Sequence, residues 1–161
     1  MTPRRPLGLA GATLAPQPTN LTLRGFPERS GALGRVWTAR YSNPRIPDSG
    51  LAPVRITVGF PRFRLRYSLA ATLRELAPDR AWLHIDDRAA FSALYCAKLD
   101  ALGVDAIRRL LDEVRAAAGT DPVLLCFEDC RKPGEWCHRL AFAEWWHERT
   151  GEPVLELDEG G

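Results

Sequence analysis

Pro122-Val123-Leu124-Leu125-Cys126-Phe127 is the stretch on which the fold turns. A continuous apolar run this short, bounded by polar residues, reads as a central strand covered on both faces. Working back from it, Val104, Ile107, Leu110, Leu111, Val114 and Ala118 recur at helical spacing, and Gly119 stands where a left-handed C-cap belongs. A further helix carries Phe91, Leu94, Tyr95, Lys98, Leu99 and Leu102, with Asp86 or Asp87 as its cap. Working forward, a polar loop runs from Glu128 to Glu135. A helix then spans about Trp136 to Thr150, with Phe142, Trp145 and Trp146 inward and Gly151 at its end, before a last strand over Pro153–Leu157.

Nearer the start, Val36–Tyr41 reads as a strand stopped by Ser42-Asn43-Pro44, and Val54–Val58 as a second stopped by Gly59. Ser68 is placed to cap a short helix through Leu69, Leu73 and Leu76 that Pro78 terminates, and Ala81–Ile85 suits a short strand. Strands alternating with helices predict one three-layer α/β domain over residues 35–158, with a mostly parallel sheet and flanking helices. Residues 1–34 are Pro- and Gly-rich and without period, and are expected to be an irregular leader. Leu7–Ala15 has some of the look of an export signal, but its glycines and the missing cleavage motif favour the leader reading.

The 161 residues, 45% apolar and 26% charged, fit one globular domain. No run approaches the ~20 apolar residues a membrane span needs. Four cysteines in a chain with a sizeable core need no disulfide framework, so a reducing cytoplasm is the expected compartment. The net charge of +2 hides an asymmetry: residues 1–80 hold 13 Arg against four acids, and residues 81–161 hold nine bases against 16 acids. Such a split fits an anionic partner for the first half, or two halves that compensate each other.

In parallel sheets ligands bind beyond the carboxyl ends of the strands. The central strand delivers Cys126 and Glu128 there, and the following loop brings Cys137, His138 and Arg139 to a helix start, whose free N–H groups favour an anion and a lowered thiol pKa. An enzyme reading makes Cys137 a nucleophile or His138 a general acid–base, Glu128 a second proton-transfer group and Arg139 an anion ligand. Tyr41, Ser42 and Asn43 after the first strand, with Gly59 and Arg62 after the second, would complete a pocket for a small anionic or phosphate-bearing ligand. Trp136 is placed to stack on a planar part of it. The two-residue step from Cys137 to Arg139 does not fit a Cys-x5-Arg phosphatase loop. Nothing in the sequence names a cofactor.

Val123-Leu124-Leu125-Cys126-Phe127-Glu128, Cys137-His138-Arg139 and Ala143-Glu144-Trp145 together resemble the signature of the family catalogued as domain of unknown function 488. Tyr41-Ser42-Asn43, Val54–Pro61 and Leu76-Ala77-Pro78 resemble one branch of it, so the likeness covers about residues 35–157. It implies a compact α/β domain and no established activity; Cys130 lies outside its pattern.

Two other readings stand beside the enzyme. Phe60-Pro61-Arg62-Phe63-Arg64-Leu65-Arg66-Tyr67 interleaves aromatics with Arg as a nucleic-acid-binding surface does, or is a half-buried strand with residues 63, 65 and 67 inward. Cys126, Cys130, Cys137 and His138 suggest a metal or thiol redox site, although adjacent Cys137 and His138 make an awkward ligand pair and Cys126 alone reads as a core thiol. His84 and His147 read as surface or packing residues.

Overall fold

The computed structural model describes residues 34–160; apart from Gly34, the expected leader lies outside the described residues. Among these residues five strands form one sheet in the order β3-β2-β4-β1-β5, and every pairing is parallel. They are β1 (Val36–Arg40), β2 (Ala52–Arg55), β3 (Ala71–Thr72), β4 (Pro122–Cys126) and β5 (Val154–Glu156). All five residues of β4 are buried, and it lies in the middle of the sheet, as its unbroken apolar run predicts. The helices are α1 (Arg88–Leu102), α2 (Val104–Ala118) and α3 (His138–Thr150). Asp87 caps α1 by accepting from the Ala89 and Ala90 N–H groups at 2.9 and 3.2 Å, and Gly119 ends α2 at φ +75°.

The sheet order sorts the layers. Steps toward the β3 edge, β1 to β2 and β2 to β3, run over one face. Steps toward the β5 edge, β3 to β4 and β4 to β5, run over the other, which is what a single crossover hand demands. All three α-helices therefore pack on one face, where Phe91, Tyr95, Leu99, Ile107, Leu111, Phe142 and Trp146 close over Val36, Val54 and Leu124. The opposite face, Ala39, Val123 and Leu125, is covered by the 3-10 turn Ile46–Asp48 and by Leu65, Tyr67 and Leu69. The third layer is thus mostly extended chain.

Three sequence expectations need correction. Residues 68–78 are not a helix: Ala71–Thr72 add the edge strand β3, and a 3-10 turn at Arg74–Leu76 follows. The open edge of β2 decides this, because the Pro53 and Arg55 carbonyls take up the Ala70 and Leu73 N–H groups at 2.7 and 2.9 Å. Residues 81–85 are not a strand; Arg80–Trp82 form a 3-10 turn and the Ile85 N–H closes back on the Trp82 carbonyl at 3.0 Å. Among the described residues, 60–67 pair with no strand, and Phe63 is exposed rather than inward. The alternation is nevertheless real from Arg64 to Ala70, with Leu65, Tyr67 and Leu69 turned partly inward as a cover for the sheet. Among the described residues no helix is long and apolar enough to cross a membrane.

Candidate functional site

A cavity of about 370 Å³ opens beyond the carboxyl ends of β2 and β4 on the helical face. Its position follows from the topology, because the chain leaves β2 toward one face and β4 toward the other, which parts the two loops. Trp82, Leu83, Phe91, Phe127 and Trp136 form apolar walls, and Trp136 is held edge-on to Phe91 with ring centroids 5.0 Å apart. The polar end is made by Thr57, Cys126, Glu128, Cys137 and His138.

Cys126, Glu128 and His138 touch one another through their polar atoms. The Cys126 thiol donates to Glu128 Oε2 at 2.7 Å, and its sulfur lies 3.6 Å from His138 Nδ1. His138 Nε2 is 2.6 Å from the Ile56 carbonyl. A carbonyl only accepts, so Nε2 carries the proton and Nδ1 turns its lone pair toward Cys126. Cys137 is the N-cap residue of α3, and its buried sulfur accepts from Arg139 Nη1 at 3.1 Å. Cys126, Cys137 and His138 bring one ligand atom each to within 4.8 Å of one another.

Burial sets the protonation of this group. It lowers the His138 pKa to about 4, leaving a neutral imidazole near neutrality. It pushes the Cys137 thiol well up, and hydrogen bonding to Cys126 adds to the rise. Cys130 is pushed up as well, first by its hydrogen bond with Cys137 and then by burial. Desolvation, only partly offset by Arg139, thus works against the thiolate expected at Cys137.

The other expected site residues divide. Glu128, Cys137, His138, Gly59 and Trp136 line the cavity. Arg139 does not: it is 2% exposed and spends its Nε and Nη2 on Glu156 and its Nη1 on the Glu128 carbonyl at 2.8 Å. It therefore braces the loop and α3, and its donors are not free for an anion. Tyr41, Ser42 and Asn43 line a separate depression with residues 63–67. Tyr41 sends its hydroxyl to Thr57 Oγ1 at 2.6 Å, while Asn43 is held by the Leu157 carbonyl and the Arg45 N–H. Arg62 is exposed and forms no part of the cavity wall.

Sequence reasoning missed a basic groove of about 410 Å³ that shares Thr57, Val58 and Pro78 with the cavity. Arg55, Arg74, Arg80 and Lys98 line it, and Asp79 is the only acid among its described lining residues. Lys98 takes up Asp79 at 2.9 Å. Arg55 stacks over Phe60, 4.2 Å from the ring centroid, and its buried Nε has no hydrogen-bond partner among the described residues. The one trace of this groove in the sequence is the Arg excess of the first half.

No protein-family model matches the chain, and no curated protein or solved structure matches it.

Proposed function

We propose that the domain is an enzyme acting on a small molecule that joins a planar, largely apolar part to an anionic group, as a nucleotide does. The observation that carries this reading is the cluster Glu128, Cys126 and His138, three ionisable side chains in contact at the end of an aromatic-walled cavity, with His138 anchored on the Ile56 carbonyl. The aromatic walls take the planar part, with Trp136 as the stacking face. The basic groove across the shared Thr57–Val58 wall takes the anion. Glu128 is the proton-transfer group. The residues that carry the resemblance to the domain of unknown function 488 family, Cys126, Glu128, Cys137, His138 and Arg139, converge on this one place, which supports the kinship as part of the proposal.

A thermal-shift screen of nucleotides and phosphosugars beside their unphosphorylated counterparts tests it. The phosphorylated forms should stabilise the protein more. Arg74→Ala or Arg80→Ala should weaken them about tenfold, the loss of one charge-assisted contact. Trp136→Ala should weaken both forms, and Glu128→Gln should spare binding while removing turnover. A ligand that stabilises the wild type and these variants equally would place the site elsewhere.

A second reading draws on one observation: Phe60 and Phe63 are 59% and 49% exposed amid exposed Arg62, Arg64 and Arg66, a surface suited to stacking and phosphate contacts on single strands. Binding of a short oligonucleotide that weakens steeply with salt and is lost in Phe63→Ala would favour it; salt-insensitive binding would discard it.

A further inference from the structure

Cys126 comes from the end of β4, while Cys137 and His138 come from the start of α3, so two elements already fixed by the core hold these three groups. All three are buried, at 1%, 4% and 6% exposure. The awkwardness of neighbouring Cys137 and His138 is resolved by their places on the helix: Cys137 is the extended N-cap residue and His138 the first helical one, and their sulfur and ring nitrogen converge.

We propose that Cys126 Sγ, Cys137 Sγ and His138 Nδ1 bind one thiophilic divalent metal ion of the zinc class, with the fourth coordination position open to the cavity. The spacing fits. Zn–S and Zn–N bonds of about 2.3 and 2.05 Å at tetrahedral angles place sulfur and nitrogen about 3.6 Å apart, and Cys126 Sγ lies 3.6 Å from His138 Nδ1. The surroundings fit independently. A metal-bound imidazole commonly anchors its other nitrogen on a carbonyl or carboxylate, and His138 Nε2 donates to the Ile56 carbonyl. A metal-bound thiolate accepts N–H donors, and Arg139 Nη1 already points at Cys137 Sγ. Two thiolates and a neutral imidazole are soft and borderline donors that suit zinc over calcium or magnesium.

Binding exchanges two thiol protons for the ion, with no change of oxidation state: both S–H bonds break, two S–metal bonds form, and two protons leave to solvent. The Cys126 proton that Glu128 now accepts is among them, which leaves Glu128 beside the open position to accept a proton from a bound water. Three protein ligands and an open place are the arrangement of catalytic rather than structural zinc. This last role rests on the cavity being an active site; the binding of the ion does not.

The test is a cobalt(II) titration of the reduced full-length chain, read without any substrate. One equivalent should bind and give the visible bands of tetrahedral cobalt together with near-ultraviolet thiolate-to-cobalt charge transfer, and one equivalent of zinc should displace it. Cys126→Ser and Cys137→Ser should each weaken cobalt at least about tenfold and lower the charge-transfer band, whereas Cys96→Ser on α1 should change neither. Circular dichroism identifies any variant that fails to fold. For such a variant, zinc protection of Cys126 and Cys137 from alkylation in the wild type gives the answer instead. Less than one-tenth equivalent of bound metal, or identical spectra in the folded Cys126→Ser and Cys137→Ser variants, overturns the metal site and leaves the ligand-binding tests of the cavity standing. A full cobalt site in a protein whose Trp136→Ala and Arg74→Ala variants bind every ligand like wild type would do the reverse. Loss of the bands in Cys130→Ser as well would overturn the open position, because Cys130 would then close the site as a fourth ligand.

Discussion

Arg139 and Glu156 form a two-pronged ion pair, Nη2 to Oε1 at 2.8 Å and Nε to both carboxylate oxygens at 3.2 Å, that ties the first turn of α3 to the edge strand β5. Thr38 reinforces it by donating to Glu156 Oε2 at 2.6 Å. Burial opposes the Arg139 charge most strongly, and only the Glu156 hydrogen bonds together with the electrostatic pull of Cys137, Glu156 and Cys130 outweigh it and raise the pKa. Glu156→Ala leaves a buried guanidinium uncompensated and should cost about 3 kcal/mol in urea unfolding, toward the lower end of buried-pair losses because Glu156 itself is 44% exposed. Arg139→Lys should recover little of an Arg139→Ala loss, since one ammonium cannot reach Glu156, the Glu128 carbonyl and Cys137 together. Full recovery by lysine would remove the bracing role.

Acid should weaken the chelator-treated protein through His138. Its folded pKa of about 4 lies below the ordinary value of 6.5, so between those pH values the unfolded chain binds the proton that the folded chain refuses. The stability is fully present above pH 6.5 and is lost as pH falls toward 4, by about 3 kcal/mol in all. Urea unfolding at a series of pH values should show this slope in wild type and its absence in His138→Gln, which keeps a donor for the Ile56 carbonyl but does not titrate. An unchanged slope in the variant would assign the effect to other groups.

Thiol labelling should separate two classes. Cys96 and Cys130 are partly exposed, while Cys126 and Cys137 are buried. The buried pair should react more than about tenfold slower than Cys96 in the native protein, because alkylation waits on local opening, and all four should react alike in urea. Mass mapping of the labelled peptides reads this directly. Fast, selective modification of Cys137 would restore it as a nucleophile.

Tyr41→Phe removes a buried hydroxyl that joins Thr57 at 2.6 Å, where Thr57 in turn donates to the Gly59 carbonyl at 2.7 Å. The loss should be about 1 kcal/mol of stability. Ligand affinity should fall as well, because Thr57 and Gly59 line the cavity from behind this bond. A stability loss with unaltered affinity would separate Tyr41 from the site.

Much of this was legible where local physics dominates. The buried run of β4, the apolar stripe of α2 with Gly119 behind it and the Asp87 cap of α1 each follow from neighbours in sequence. Residues 68–85 were not legible, because their conformation is set by the free edge of β2 and by cavity walls, which are tertiary facts. In the site, Glu128, Cys137 and His138 were found from the strand-end rule. The partners that define their chemistry were not: Ile56 lies 82 residues from His138, and Glu156 lies 17 from Arg139 with nothing in the sequence to join them. Of the two origins expected for the charge split, compensation between the halves is seen directly. Arg40 and Arg45 of the basic half pair with Glu159 and Asp158 of the acidic half, while Arg55, Arg74 and Arg80 gather in the groove.

The place of β4 has a consequence for synthesis of the chain. β1 and β2 never touch as neighbours; each pairs with β4, which is made some 70 residues after β2. While the nascent chain ends before residue 122, β2 can join β3 but its other edge, like the β4-facing edge of β1, has no native strand to pair with. Closure of the sheet is thereby postponed until residues 122–126 emerge, and the same strand carries Cys126 to its place in the site.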